Sequence, residues 1–252
     1  MSSQEIVWMT EPADRDVVGV LGGMGPLASA GFIRTLYGTY RGRVEQETPV
    51  VLLWSNPKLG DRTKIFLQNG DEQELLDGLE TGLRSLVAQG ANHLVICCVT
   101  AHYLLPRLPK DLRAKVLSLV DVIFEELEST ERKCLLACTT GTRSLRLFQE
   151  HKGWKKVAHK VCLPTAKEQE KLHEAIYSVK RDHTVDDLAE VVLSICEAHS
   201  VDTVIAGCTE LHLLSSDCDC RTALSQKLRI IDPLATIATR YREGMHAAAI
   251  RA

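Results

Sequence analysis

The chain has 252 residues, 45% hydrophobic and 25% charged, enough for one large domain or two small ones with a substantial core. A net charge of −3 and scattered basic residues speak against nucleic acid, and the small cluster Lys152, Lys155, Lys156 and Lys160 reads as a solvated face. No apolar stretch approaches the roughly 20 residues of a bilayer span, and residues 1–16 lack the apolar centre of a signal peptide, so a soluble, cytoplasmic protein with a loose leader is expected.

In chain order, VVGVLG from Val17 reads as a strand that breaks into the turn GGMGP, with Pro26 suited to the first position of a helix running through FIRTLYGTY. The segment PVVLLWSN (49–56) is a second strand, followed by the loop PKLGDRTKIF. Leu75, Leu76, Leu79, Leu83, Leu86 and Val87 recur at helical spacing, and Gly90 stands where a helix ends. The run LVICC is a third strand, ending in Cys97 and Cys98. The order then recurs. CLLA enters a CTTGT turn, and SLRLFQE is expected to continue it as a helix. KVAHKVCLP reads as a short strand and KEQEKLHEAIYSVK as a helix. TVDDLAEVVLSICEAH is a further helix, with Thr184 as its cap and Asp187 in its first turn. TVIA then leads to Cys208.

Alternating strands and helices of these lengths predict α/β architecture with parallel sheets and right-handed crossovers. Each half runs strand, tight turn, helix, strand, loop, helix, strand, cysteine. The two cysteines fall at equivalent points 110 positions apart, as expected of an internal duplication. Ligands of open parallel sheets bind beyond the carboxyl ends of the strands. Two facing halves would therefore enclose a cleft with a thiol on either side.

Nine cysteines suggest neither a disulfide scaffold nor zinc: Cys218 and Cys220 are too close, and no second pair matches them. Cys134, Cys162 and Cys196 read as small hydrophobes, and Cys97 should face the opposite side of its strand from Cys98. Opposed thiols suit inversion of a stereocentre, in which a base removes a proton from one face and an acid supplies one to the other. With an ordinary pKa of about 8.5, a thiol can serve either role near neutrality. Helices expected to begin after each cysteine would favour the thiolate. Gly23-x-Gly25-x-x-Ala28 fits a loose dinucleotide pattern, but Glu45 and Glu47 fall before the second strand instead of at its end.

The sequence resembles the cofactor-independent aspartate/glutamate racemase family, closest to its aspartate racemase branch. The resemblance rests on GVLGGMGP (19–26), Ser55-Asn56-Pro57 with Asp61-Arg62-Thr63, CVTAH (98–102) and TTGT (139–142). It continues through Pro164 with Glu168-Gln169, IYSVK (176–180), GCTEL (207–211) and IDPLATIA (231–238). It implies two pseudo-symmetric α/β domains with the active site in the cleft between them: 17–120 plus a returning helix within 232–252, and 121–231. It also implies a homodimer that racemises an acidic amino acid, aspartate first, with Cys98 and Cys208 as catalysts and with no cofactor or metal. Met24, Thr100, Thr139, Thr209 and Glu210 would then line the substrate's carboxylate and ammonium sites. Arg62 and Lys180 would hold its side-chain carboxylate. One position departs from the pattern: Val99 stands where the family has asparagine, removing a hydrogen-bonding amide. His102 is open to either a local structural role or assistance to Cys98, whereas His212 is expected to be structural. The alternatives are a glutamate or broader amino-acid racemase, a related isomerase or lyase acting on hydantoin, maleate or malonate derivatives, and a thiol-exchange protein, for which no C-x-x-C motif is present.

Overall fold

The computed structural model describes residues 17–39, 44–182, 185–216 and 227–242. The expected leader, the cap residue Thr184, Cys218 and Cys220, and the chain beyond 242 lie outside the described residues. The first half comprises β1 (Val17–Gly22), α1 (Pro26–Thr39), β2 (Val50–Ser55), α2 (Arg62–Leu67), α3 (Glu72–Ala88) and β3 (His93–Ile96). A 3-10 helix (Thr100–Arg107), α4 (Lys110–Arg113) and α5 (Leu119–Ser129) follow. The second half has β4 (Cys134–Ala137), α6 (Thr140–Ser144), α7 (Trp154–Val157), β5 (Val161–Cys162), α8 (Ala166–Asp182), α9 (Asp186–Ala198), β6 (Thr203–Ala206) and α10 (Leu211–Ser216). It closes with β7 (Arg229–Ile231) and α11 (Pro233–Arg242).

Both sheets are parallel, ordered β2-β1-β3 and β5-β4-β6-β7. The first strand of each half lies centrally between its second and third strands, as duplication requires. The likeness extends one strand further. A lone parallel bridge joins Leu94 to Val116 on the outer edge of β3, where β7 pairs with β6 in the other sheet. Helices α5 and α11 follow these equivalent edges.

Period-two alternation sorts side chains to the two faces of each strand. Val18, Val20, Val95 and Cys97 join Cys134, Leu136, Ile205 and Ile231 in one apolar cluster with residues of α1, α5 and α11. On the opposite faces, Leu21, Leu94 and Ile96 pack with the leucines of α3, and Leu135, Val204 and Ala206 with α8 and α9. Each fully buried leucine contributes about 2 kcal/mol. Cys97 and Cys98 fall in different clusters, as the alternation predicts.

Several local expectations change. β3 stops at Ile96, and the backbone turns at once: the Cys98 amide donates to the Ile96 carbonyl at 2.7 Å. The helix expected through 144–150 is absent. α6 ends at Ser144, and Arg146 adopts φ +53°, which helical propagation does not tolerate. β5 is only two residues long, because Trp154–Val157 and Ala158–Lys160 form short helical turns instead. Helix α9 begins at Asp186 with Val185 at its cap position, where no side-chain cap forms. Gly90, at φ +102°, is the left-handed residue that ends α3. Among the described residues, no helix is long and apolar enough to cross a membrane.

Candidate active site

The cysteine-bearing turns are built alike. The Gly207 amide donates to the Ile205 carbonyl at 2.8 Å, repeating the Cys98 turn one residue earlier relative to its cysteine. Cys98 and Cys208 are each 5% exposed and close enough to couple electrostatically. The same buried cluster holds Arg62, Lys180 and Glu210.

The neighbours of the thiols differ. Cys208 donates its Sγ–H to Glu210 Oε2 at 2.8 Å, and Glu210 is 2% exposed. Burial, then the adjacent carboxylate, push the Cys208 thiol well above its ordinary range. The expected helix-terminal stabilisation of a thiolate does not prevail here. α10 starts three residues after Cys208, too displaced to offset a buried carboxylate. After Cys98 the chain forms a 3-10 helix, with Val99 at its cap position in αR geometry. Here the neighbour is the Arg62 guanidinium, whose positive charge acts on Cys98.

Arg62 opens α2, where a cation opposes the helix dipole; Asp61 at the cap offsets it by accepting the Lys64 amide at 3.0 Å. Three carbonyls fix the guanidinium: Nη1 donates to Leu59 (3.2 Å) and Gly60 (2.7 Å), and Nη2 to Met24 (3.2 Å). Its Nε is buried without a hydrogen-bond partner. Burial opposes the charge, but Cys98, Asp61 and Glu210 outweigh it and hold Arg62 firmly cationic. Lys180 Nζ lies 3.6 Å from Glu210 Oε1 and 4.8 Å from the centre of the Tyr177 ring. Burial would lower Lys180, but Glu210 and Cys208 overcome this and raise it.

Hydrogen bonds cross between the halves around this cluster. Thr100 Oγ1 is 2.7 Å from Thr142 Oγ1, which lies 3.2 Å from Thr139 Oγ1. Thr139 also caps α6 by accepting the Thr142 amide. Thr209 Oγ1 donates to the Cys97 carbonyl at 3.3 Å. The Tyr177 hydroxyl donates to both oxygens of Asp61, each at 2.9 Å. A Cβ on Gly25 would meet Glu210 Oε1, so the carboxylate could hold its present position only with glycine at that point of the turn. All nine residues singled out from the sequence thus sit in or beside one buried cluster. Met24 contributes its carbonyl there, while its side chain packs in the apolar cluster that contains Cys98. Thr142, Asp61 and Tyr177 were assigned no part from the sequence. Asp61 and Tyr177 fall inside the quoted motifs, and Thr142 inside TTGT, which is the signal that could have found them.

The two histidines are equivalent in position, four residues after each cysteine, but not in state. His102 Nδ1–H donates to the Cys98 carbonyl at 2.8 Å, and its Nε2 accepts the Leu119 amide at 3.0 Å. Both nitrogens are engaged with backbone, and burial lowers the ring to about 4. His212 Nδ1 lies 2.6 Å from Asp232 Oδ2, and Nε2 lies 3.0 Å from Thr35 Oγ1. Burial opposes protonation there, but Asp232 prevails and raises it. Both rings therefore anchor the starts of equivalent helices, α5 and α11, and neither is aimed at a thiol. Val99, in place of the family asparagine, is 1% exposed and belongs to the apolar cluster shared by the two sheets. Among the described residues, no group of three or more His, Cys, Asp and Glu side chains is arranged to hold a metal ion.

The chain is similar to the broad specificity amino-acid racemase RacX of Bacillus subtilis, with 23% identity over 234 residues, 88% of this chain and 95% of that protein. Among solved structures, the aspartate racemase of Picrophilus torridus superposes with a TM-score of 0.75 at 21% identity, covering 90% of this chain and 94% of that one. A glutamate racemase from Campylobacter jejuni superposes with a TM-score of 0.61 at 16% identity, covering 90% and 85%. These structural likenesses establish a shared fold. The family model described as Asp/Glu/Hydantoin racemase matches residues 21–240. With nearly the whole length matched and the cysteine-bearing turns in place, the chain belongs to the Asp/Glu/hydantoin racemase family of isomerases.

Proposed function

We propose that the protein is a cofactor-independent amino-acid racemase acting on acidic amino acids, aspartate first, with Cys98 and Cys208 as opposed base and acid. The observation that carries this reading is the unlike surroundings of two buried, neighbouring thiols. Cys208 is held protonated against Glu210, whereas Cys98 faces the Arg62 guanidinium. In this reading the Cys98 thiolate removes the α-proton from one face, and the Cys208 thiol delivers a proton to the other. The reverse direction exchanges the roles. The threonine hydroxyls of Thr100, Thr139 and Thr209, with the backbone around Met24, would meet the α-carboxylate and ammonium groups as the developing enediolate forms. The unpaired Arg62 Nε costs about 1–3 kcal/mol where it stands. A substrate carboxylate would satisfy it with a charge-assisted hydrogen bond.

One observation favours a broader substrate range. Lys180 is already paired with Glu210, which leaves Arg62 as the less compensated cation for a second carboxylate. The printed description of the Bacillus relative, a broad specificity amino-acid racemase, points the same way. Incubating cofactor-free protein with L-aspartate, L-glutamate and neutral L-amino acids, with chiral chromatography as readout, separates the two readings. Activity confined to hydantoins or maleate would overturn both. The domain limits 17–120 plus 232–252 and 121–231 belong to the same proposal, supported by the packing of α11 on α1. So does a homodimer, supported by Val50 and Leu53 exposed on the edge strand β2; light scattering tests it. A reducing, cytoplasmic setting fits the seven free cysteines among the described residues.

A further inference from the structure

Glu210 is among the most buried carboxylates of the described chain, and substrate binding does not account for its main contact. Its Oε2 accepts the Cys208 thiol proton at 2.8 Å, while Oε1 has no hydrogen-bond partner and lies 3.6 Å from Lys180 Nζ. Gly25 leaves the space that Oε1 occupies. The carboxylate is therefore seated against the thiol with a cation behind it.

Resting on the two-thiol reading, we propose that Glu210 is a third acid–base residue, which takes the proton of Cys208 when that thiol must become the base. The step is one proton transfer. The Sγ–H bond breaks, leaving its electron pair on sulfur, and an O–H bond forms at Oε2. Thiol plus carboxylate becomes thiolate plus carboxylic acid, so the pair keeps its single negative charge beside Lys180. No net charge is created in the dry cluster, which removes the main electrostatic obstacle to forming a thiolate there. The Cys208 thiolate then takes the substrate α-proton while Cys98 delivers one from the other side. Glu210 afterwards releases its proton to solvent once product has left, and Cys98 regains one. Among the described residues no carboxylate is hydrogen-bonded to Cys98, whose charged neighbour is the Arg62 guanidinium. The charged and titratable groups facing the Cys208–Glu210 pair are Lys180 from α8, Arg62 from α2, and Cys97 and Cys98 from the turn after β3.

The test uses the full chain and two readouts. In the first, iodoacetamide alkylation of Cys98 and Cys208 is followed by peptide mass spectrometry across pH. Glu210→Gln is expected to lower the alkylation midpoint of Cys208 by about one pH unit or more, with a smaller change at Cys98. In the second, α-proton exchange into D2O is measured for both enantiomers of aspartate. Adding Glu210→Gln to Cys98→Ala should cut the remaining exchange about a hundredfold, whereas adding it to Cys208→Ala should cut exchange by about tenfold at most. A parallel fall in both backgrounds would return Glu210 to substrate binding and overturn the proposal. An unmoved Cys208 midpoint would overturn it even if Cys98→Ala has too little exchange to measure. Wild-type racemisation by both single cysteine variants would instead refute the two-thiol reading itself.

Discussion

The Cys98 and Cys208 halves of the site share their scaffold and differ in their charges. In each, a buried parallel strand ends in a tight backbone turn, presents a cysteine, and places a histidine four residues later that anchors the start of a later helix, α5 or α11. Around Cys98 the partners are a guanidinium and a neutral histidine; around Cys208 they are a carboxylate and a histidine paired with Asp232. Duplication accounts for where the sulfurs are. The unlike neighbours set a carboxylate against one sulfur and a cation near the other, which is the asymmetry that the proposed pairing of one base with one acid calls for.

The sharpest way to break the comparison is to remove each thiol in turn. Cys98→Ala and Cys208→Ala are each expected to lower racemisation of aspartate by about 10⁴, measured by chiral chromatography. Near-normal turnover in either variant would show that the halves are not complementary. Next in size is the cation. Arg62→Lys keeps the charge but loses the planar fork held by Leu59, Gly60 and Met24. It should reduce kcat/KM for aspartate by about a hundredfold, and retained activity would detach Arg62 from the site.

The smallest effects concern stability and sharpen the histidine contrast. His212→Asn removes the cationic partner of the buried Asp232 carboxylate and should cost about 3–5 kcal/mol in urea unfolding at pH 7. His102→Gln, which disturbs two backbone hydrogen bonds, should cost about 1–3 kcal/mol. Their pH signatures differ in sign. His102 is lowered to about 4 in the folded state, so its contribution is present above an unfolded value near 6.5. That contribution, up to about 3 kcal/mol, is lost as pH falls through this window. His212 is raised and Asp232 lowered, so their pairing persists across the same window and is lost only above or below it. Unfolding at pH 7 and pH 5 should therefore show acid sensitivity in His212→Asn that is absent from His102→Gln. Equal sensitivity in both would mean that the two rings share one state.

Much of the fold was legible because each element announced itself locally. The leucines of α3 recur at helical spacing and are buried as that spacing predicts, and Gly90 ends the helix in the left-handed region. The stretch 144–150 looked helical from composition, yet Arg146 takes a positive φ and the chain proceeds in turns. Residue preferences are weak beside such tertiary demands. In the site, the apolar runs ending in cysteine identified both thiols. The reach of Glu210 back to Cys208, of Tyr177 to Asp61 and of Thr142 to Thr100 depends on how the halves face each other, and spacing carries no record of that.

Alternation of apolar strands with amphipathic helices, repeated once, was enough to determine parallel α/β architecture and the equivalence of Cys98 and Cys208. These follow from hydrogen bonding and burial within short segments. The electrostatic surroundings of each sulfur were decided only by tertiary structure, because they depend on which distant side chain is packed nearby in a medium from which water is excluded. Arg62 lies 36 positions from Cys98, and Lys180 lies 28 from Cys208. Glu210 is near Cys208 in sequence, but its pressing against the thiol rests on the space left by Gly25 and the cation brought in by α8.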